Sequence, residues 1–104
     1  MKKELRLMLE YECYPVWIYD EEGKFVDNDL VQEIEKDEKL VAMLEELQTE
    51  FDSLYLNSPV EFKYIGFSSE NEKHAFDSKV QQVYRGLCDL LEGKYEVRNM
   101  VNIW

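Results

Sequence analysis

The sequence predicts an α+β fold in which a mainly antiparallel five-stranded sheet carries two helices on one face, in the order β-β-β-α-β-α-β. Three observations lead to this prediction. Five segments alternate apolar and polar side chains, two longer segments repeat apolar residues at helical spacing, and only 2 Pro and 4 Gly in 104 residues indicate short connections. Because each predicted strand has one polar side, a sheet covered on one face is the economical arrangement.

The first strand is predicted at residues 4–12. Leu5, Leu7 and Leu9 recur there at every second position, and charged residues occupy most of the positions between them. This alternation is typical of a strand with one buried face. Pro15 has no amide hydrogen to donate to a neighbouring strand, so we expect the chain to turn before it.

A β-hairpin is predicted next, with strands at residues 16–19 and 24–27. Its turn begins with Asp20, whose carboxylate can accept a hydrogen bond from the backbone two residues on. The turn ends with Gly23, which tolerates the positive φ that closes such turns. These residue types predict architecture and carry no catalytic motif.

Two helix starts follow the hairpin. Asp29 stands three residues before Gln32, which predicts a cap and a short helical turn, and Asp37 marks a second start. From Asp37 onward, apolar residues recur at helical spacing at Leu40, Leu44, Leu47, Phe51, Leu54 and Tyr55. The intervening positions are rich in acidic residues, so this segment is predicted to be an amphipathic helix with a strongly acidic outer face.

A strand, a helix and a final strand are predicted in the rest of the chain. Pro59 starts an alternating segment at residues 60–65, which we interpret as the fourth strand. The second helix is expected to begin with a cap at Ser69 and to end at Gly93. Alternation then runs almost to Trp104 and predicts the fifth strand, which can alternatively pair in parallel with the fourth strand through a right-handed crossover.

The composition predicts a single domain, residues 1–104, that folds without a disulfide or a metal. With 12 Lys+Arg against 23 Asp+Glu, the formal net charge is −11. Residues 29–52 hold nine of the acids against two lysines, so most of the excess lies in one region. This charge disfavours nucleic acid and anionic membranes as partners and favours a basic protein or a cation.

The predicted location is the cytoplasm. Cys13 and Cys88 form no CxxC pair, and no apolar signal-peptide core follows the initial Met1. No apolar run approaches the roughly 18–20 residues that span a bilayer.

No catalytic residue, metal site or cofactor is predicted. His74 is the only histidine, and along a continuous helix Cys88 would lie about 20 Å from it, at about 1.5 Å per residue. Asp27, Asp29 and Glu38 match the first, third and twelfth positions of a calcium loop, but Gln32 stands where that loop needs glycine. We therefore interpret the acids as strand-end, capping and surface residues.

The outer face of the acidic helix, together with nearby aromatic residues, is the predicted binding surface. For Trp17 and Tyr19, which share one side of the second strand, a position in the core is favoured over a position in an interface. If Tyr14, Tyr55 and Trp104 gather near the hairpin, they form an aromatic anchor beside the acids. The predicted partner-binding residues are Glu45, Glu46, Glu50, Asp52, Tyr14, Trp17, Tyr19 and Tyr55.

The run YPVWIYDEEGKFVDNDL at residues 14–30, followed by the acidic helix and the EFKYIGF segment, resembles small acidic bacterial proteins. These proteins are mostly uncharacterised and include immunity-like partners of secreted toxins. The resemblance implies a non-catalytic, stoichiometric protein binder whose acidic surface neutralises a basic toxin or enzyme. Two alternatives remain open: a small enzyme or ligand-binding domain with a pocket between the helices and the sheet, and a structural homodimer formed through sheet edges or the free sheet face.

Overall fold

The computed structural model describes residues 3–57 and 59–101, in which a four-stranded mixed sheet is joined by a separate two-stranded sheet and three helices. In chain order the elements are β1 (Lys3–Leu7), β2 (Val16–Tyr19), β3 (Phe25–Asp27), α1 (Gln32–Glu35), α2 (Glu38–Asp52), β4 (Tyr55–Asn57), β5 (Phe62–Tyr64), α3 (Glu70–Leu91) and β6 (Tyr95–Asn99).

The predicted five-stranded antiparallel sheet is wrong. The main sheet has the order β3-β2-β1-β6, in which β1 pairs antiparallel with β2 but parallel with β6. The predicted fourth strand forms β5, which pairs antiparallel with β4 outside the main sheet. Local alternation identifies a strand but not its partner, and β4 lies only a short connection from β5, where a hairpin closes at low entropic cost. The predicted parallel alternative is also wrong, because β6 pairs with β1.

Several element boundaries differ from the prediction. β1 ends at Leu7, because the chain turns through residues 10–13, where the Cys13 amide donates to the Glu10 carbonyl at 3.1 Å. α2 ends at Asp52, and Tyr55 belongs to β4. The parts of the prediction that involve Ser58 and residues 102–104, including Trp104, lie outside the described residues.

The predicted turn and two of the three predicted caps are confirmed. Asp20 Oδ1 accepts hydrogen bonds from the amides of Glu22 and Lys24, both at 2.9 Å, and Gly23 has a φ of 83°. Asp37 caps α2 by accepting from the Leu40 amide at 3.0 Å, and Ser69 caps α3. The predicted cap at Asp29 is wrong.

Asp29 does not cap α1, because its carboxylate accepts a hydrogen bond from the next backbone amide, that of Leu30, at 2.7 Å. The N-cap of α1 is instead Val31, and α1 spans only four residues. The carboxylate of Asp29 therefore already has a local hydrogen-bond donor in the segment that precedes α1.

The core lies between the helices and one face of the main sheet. The sheet contributes Leu5 and Leu7 from β1 and Val16 and Ile18 from β2. The helices contribute Ile34, Leu40, Leu44, Leu47, Phe51, Phe76, Val80, Val83, Leu87 and Leu91. Among the described residues, those that are buried as a whole are apolar, while the Tyr14 hydroxyl and Gln48 Oε1 are buried polar atoms of partly exposed residues. In the same part of the chain, no helix combines the length and apolar character needed to cross a bilayer.

Candidate protein-interaction surface

An aromatic cluster forms around Tyr55, the first residue of β4. The centroid of its ring lies 4.9 Å from that of Tyr11, 5.1 Å from that of Tyr64 and 5.5 Å from those of Phe51 and Phe62. The Phe62 ring is nearly parallel to it, at 6°, whereas Tyr64 and Phe51 approach edge-on. Rings at these separations attract one another beyond simple burial. We call Tyr11, Phe51, Tyr55, Phe62 and Tyr64 the aromatic cluster.

Strand pairing explains how these rings come together. In the β4–β5 hairpin, Tyr55 is the pairing partner of Tyr64, and Phe62 lies two residues before Tyr64 on β5, on the same face of that strand. Directly paired residues of an antiparallel hairpin hold their side chains within contact distance on one face. Phe51 belongs to the last turn of α2 and is buried, so it links the cluster to the core.

Tyr11 is held in place by the end of α2. Gln48 Nε2 donates to the Glu10 carbonyl at 2.9 Å, and Asp52 Oδ1 accepts from the Glu12 amide at 2.9 Å. Glu12 adopts a φ of 57°, in the left-handed region that non-glycine residues seldom occupy. These contacts fix the loop between β1 and β2 and direct Tyr11 towards Tyr55 and Phe62.

The hairpin and its surroundings expose a large amount of apolar surface. Phe62 is 55% exposed and Val60 is 94% exposed. The further exposed apolar side chains in this region are Leu56, Tyr64, Ile65 and Met100. Exposed apolar side chains that lie together on a soluble protein are typical of interaction surfaces.

A cleft of about 450 Å³ opens beside the aromatic cluster. It is lined by Met8, Leu9, Glu10, Phe51, Tyr55, Tyr64 and Met100. Burial raises the pKa of the Tyr55 hydroxyl above its ordinary value of 10.0, and the nearby carboxylates of Glu10 and Asp52 raise it further. The carboxylates of Glu10 and Asp52 therefore lie near the Tyr55 hydroxyl at this cleft.

The predicted acidic residues of α2 differ in their surroundings. Lys79 of α3 donates to Glu46 at 2.7 Å and to Glu50 at 2.6 Å, and these hydrogen bonds raise the pKa of Lys79 to about 12. Asp52 makes the internal hydrogen bond to the Glu12 amide, and Glu45 is exposed. Part of the predicted acidic face is thus neutralised by a lysine of the same chain.

The four predicted aromatic residues lie at three different locations: the aromatic cluster, the edge of the core and the outer face of the main sheet. Tyr55 lies in the aromatic cluster, whereas Tyr14 packs against the core with its hydroxyl buried and, within the described part of the chain, without a hydrogen-bond partner. Burial raises the pKa of Tyr14, and the charges of Glu45 and Asp29 add to this effect.

Trp17 and Tyr19 lie on the outer face of the main sheet, and the favoured prediction that they occupy the core is wrong. Val16 and Ile18, at alternating positions of the same strand, take the buried side. Trp17 Nε1 donates to the Met8 carbonyl at 3.2 Å, and the Arg6 guanidinium lies 4.0 Å from the centre of the Tyr19 ring. Period-two alternation separates the two faces but does not say which one meets the helices.

The same outer face carries a group of ion pairs. Glu4 of β1 lies 3.2 Å from Arg6 and 2.6 Å from Arg98 of β6, and Arg98 also contacts Glu96 at 3.2 Å. The hydrogen bond from Arg6 lowers the pKa of Glu4 below its ordinary value of 4.5, and both arginine charges contribute. The parallel register, in which Glu4 opposes Glu96 and Arg6 opposes Arg98, produces this arrangement.

The structure therefore brings only Tyr55 and Asp52, of the eight predicted residues, to the aromatic cluster. Tyr11, Phe62 and Tyr64, which lie in the aromatic cluster, were not among the predicted residues. The alternation of aromatic and charged residues at positions 61–64 was a signal for Phe62 and Tyr64 but not for Tyr11. Within the described ranges, no group of three or more His, Cys, Asp or Glu side chains is placed to hold a metal ion.

Comparison with known proteins gives one family assignment. The family model described as "Serratia CdiI immunity protein-like" matches residues 3–101, nearly the whole chain. A search of the curated proteins finds no match.

Proposed function

We propose a toxin-neutralising role for this chain, because it belongs to the Serratia CdiI immunity protein-like family. An immunity protein of this kind acts by binding a protein toxin. The family assignment is the observation that carries the proposal. We further propose that the binding is stoichiometric, that the chain catalyses no reaction itself, and that it acts in the cytoplasm.

The aromatic cluster and the exposed apolar residues of the β4–β5 hairpin are the proposed contact surface. Tyrosine and phenylalanine supply large, rigid contact areas, and exposed apolar side chains gain stability when a partner covers them. Phe62 and Tyr55 stack in the centre of this surface. Glu10, Glu12 and Asp52 lie around it, in the loop between β1 and β2 and at the end of α2.

Charge supports a basic partner. The chain carries a formal net charge of −11, and acids on α2 such as Glu45 are exposed. A strongly negative protein attracts a basic partner over distances of about one Debye length, roughly 8–10 Å at physiological salt, and so raises the association rate. In this proposal the α2 acids steer the toxin towards the surface, while the aromatic cluster provides most of the contact energy.

Growth protection tests the proposal directly. If a large secreted protein with a basic C-terminal domain is encoded beside this chain, that domain is the toxin to test, expressed from an inducible promoter with or without the chain. We expect the chain to restore growth and to co-purify with the toxin in equal amounts. Failure to protect, with no complex formed, would contradict the proposal. Light scattering of the chain alone tests the homodimer alternative, which remains a hypothesis.

A further inference from the structure

We infer that the cleft beside Tyr55 receives an arginine side chain of the toxin. This inference rests on the proposed function and names the chemistry by which that surface recognises its partner. It commits to a single kind of occupant, a guanidinium group carried on a flexible stem.

The cleft is large enough to receive a single long side chain. Its volume of about 450 Å³ lies within the range of roughly 300–1,000 Å³ that is typical of small ligand sites. Tyr55 and Tyr64 line one part of it, and their rings meet edge-on at 5.1 Å. Met8 and Met100 line another part, and their flexible thioether side chains can adapt to an inserted stem.

The charges around the cleft are complementary to a cation. Of the described residues that line it none is basic, whereas Glu10 contributes a carboxylate. Asp52 stands close enough for its charge, with that of Glu10, to raise the pKa of the Tyr55 hydroxyl. An apolar side chain would fill the cleft without interacting favourably with these carboxylates, whereas a cation would be attracted to them.

Arginine suits this lining better than lysine does. Its planar guanidinium stacks on the faces of aromatic rings and can donate two parallel hydrogen bonds to one carboxylate, here that of Glu10. Its three methylene groups can lie along the apolar walls while the charge reaches the polar edge. Lysine provides a compact, strongly hydrated charge that loses more hydration on entering such a cleft.

The inference is tested without the toxin by titrating the whole chain with N-acetyl-arginine amide. N-acetyl-citrulline amide, which has nearly the same shape but no charge, is the matched ligand control. Methyl signals of Met8 and Met100 and amide signals of Tyr55 and Tyr64 are followed by NMR. We expect saturable shifts at these residues with the arginine compound and none with the citrulline compound.

Two variants that each remove one negative charge test whether the arginine compound binds at the cleft. Glu10→Gln is expected to weaken binding of the arginine compound by up to about fivefold, the range for a partly exposed ion pair. Glu21→Gln, at the exposed turn between β2 and β3, is expected to leave it unchanged. The inference is overturned by non-saturable shifts, by equal shifts with citrulline, by shifts mapped elsewhere, or by equal effects of the two variants.

The outcomes separate this inference from the proposed function. If the toxin binds and is neutralised but the arginine compound does not bind the cleft, only the inference fails. If the arginine compound binds as expected but the toxin is not bound, the proposed function fails, and the cleft remains a guanidinium site without that role.

Discussion

The carboxylate of Asp52 accepts a hydrogen bond from the backbone amide of Glu12 at 2.9 Å, across 40 positions of the sequence. Gln48 Nε2 donates to the same carboxylate oxygen at 2.8 Å and to the Glu10 carbonyl at 2.9 Å. The end of α2 thereby holds the loop that carries Tyr11 into the aromatic cluster. Asp52, predicted as a partner contact, supports the loop that carries Tyr11, and its role as a contact stays a prediction.

Replacing Asp52 tests this supporting role. Asp52→Ala removes the acceptor for the Glu12 amide and is expected to lower the free energy of unfolding by about 0.5–1.5 kcal/mol. Asp52→Asn keeps an acceptor oxygen and is expected to lose less. Urea denaturation measures both variants, with Glu45→Ala as an exposed acidic control on the same helix. Equal free energies of unfolding for Asp52→Ala and Glu45→Ala would contradict a stabilising contribution of this hydrogen bond.

Alanine variants of Phe62 and Val60 test the role of the aromatic cluster in toxin binding. Both are exposed apolar residues, but Phe62 stacks on Tyr55 whereas Val60 is 94% exposed. Phe62→Ala is expected to weaken toxin binding about thirtyfold or more, equivalent to about 2 kcal/mol at an interface hot spot. Val60→Ala, which removes a smaller side chain of the same surface, is expected to cost clearly less. Surface plasmon resonance compares the two variants, and equal losses would contradict a central role for the aromatic cluster.

Glu4 is expected to make stability depend on pH. Its pKa in the folded chain lies below 4.5, because Arg6 and Arg98 stabilise the carboxylate. The stabilising contribution is therefore present above 4.5 and is lost as the pH falls through the lower, folded value. Glu4→Gln should lower the free energy of unfolding by about 1–2 kcal/mol at neutral pH, between the values for exposed and buried ion pairs.

The control for Glu4 is Glu22→Gln, since Glu22 is 75% exposed and lies 3.7 Å from Lys24. Denaturation curves are recorded for both variants at neutral pH and below the folded pKa of Glu4. The difference between Glu4→Gln and the unmodified chain should disappear at the lower pH. A difference of the same size at both pH values would contradict the assigned ion pairs.

Lys79 is expected to keep its proton above the ordinary lysine pKa of 10.5. Its pKa of about 12 comes from the hydrogen bonds to Glu46 and Glu50, so the interaction is present below that value and is lost as the pH rises through it. The ¹³Cε signal of Lys79, followed as the pH passes 10.5, measures this directly. The double variant Glu46→Gln/Glu50→Gln should return the transition towards 10.5, whereas Glu45→Gln should not. An unchanged transition in the double variant would contradict the contact.

Local sequence chemistry predicted much of the secondary structure but not the sheet. The β2 strand, the turn at Asp20 and the caps at Asp37 and Ser69 each depend on a few neighbouring residues. The parallel pairing of β1 with β6 depends on contacts across nearly the whole chain, which no local pattern encodes. For that reason the predicted strand number and the antiparallel direction were wrong, and the strand order of the main sheet was not predicted.

The binding surface was harder to predict for a related reason. Tyr55 fits the helical spacing of α2, and only its pairing with Tyr64 shows that it belongs to a strand. Tyr11 reaches the aromatic cluster because Asp52 and Gln48 hold its loop, a contact between segments far apart in sequence. The family resemblance was seen because it depends on the order of residue types along the chain, and the match to residues 3–101 confirms it.

Isothermal titration calorimetry of the chain with its candidate toxin, combined with an assay of the toxin at each titration point, tests the central claim most directly. We expect a 1:1 complex, with toxin activity falling in proportion to the amount of chain added and reaching its minimum at equivalence. Full toxin activity in the presence of excess chain, with no heat of binding, would contradict the assignment of this protein as a stoichiometric neutraliser.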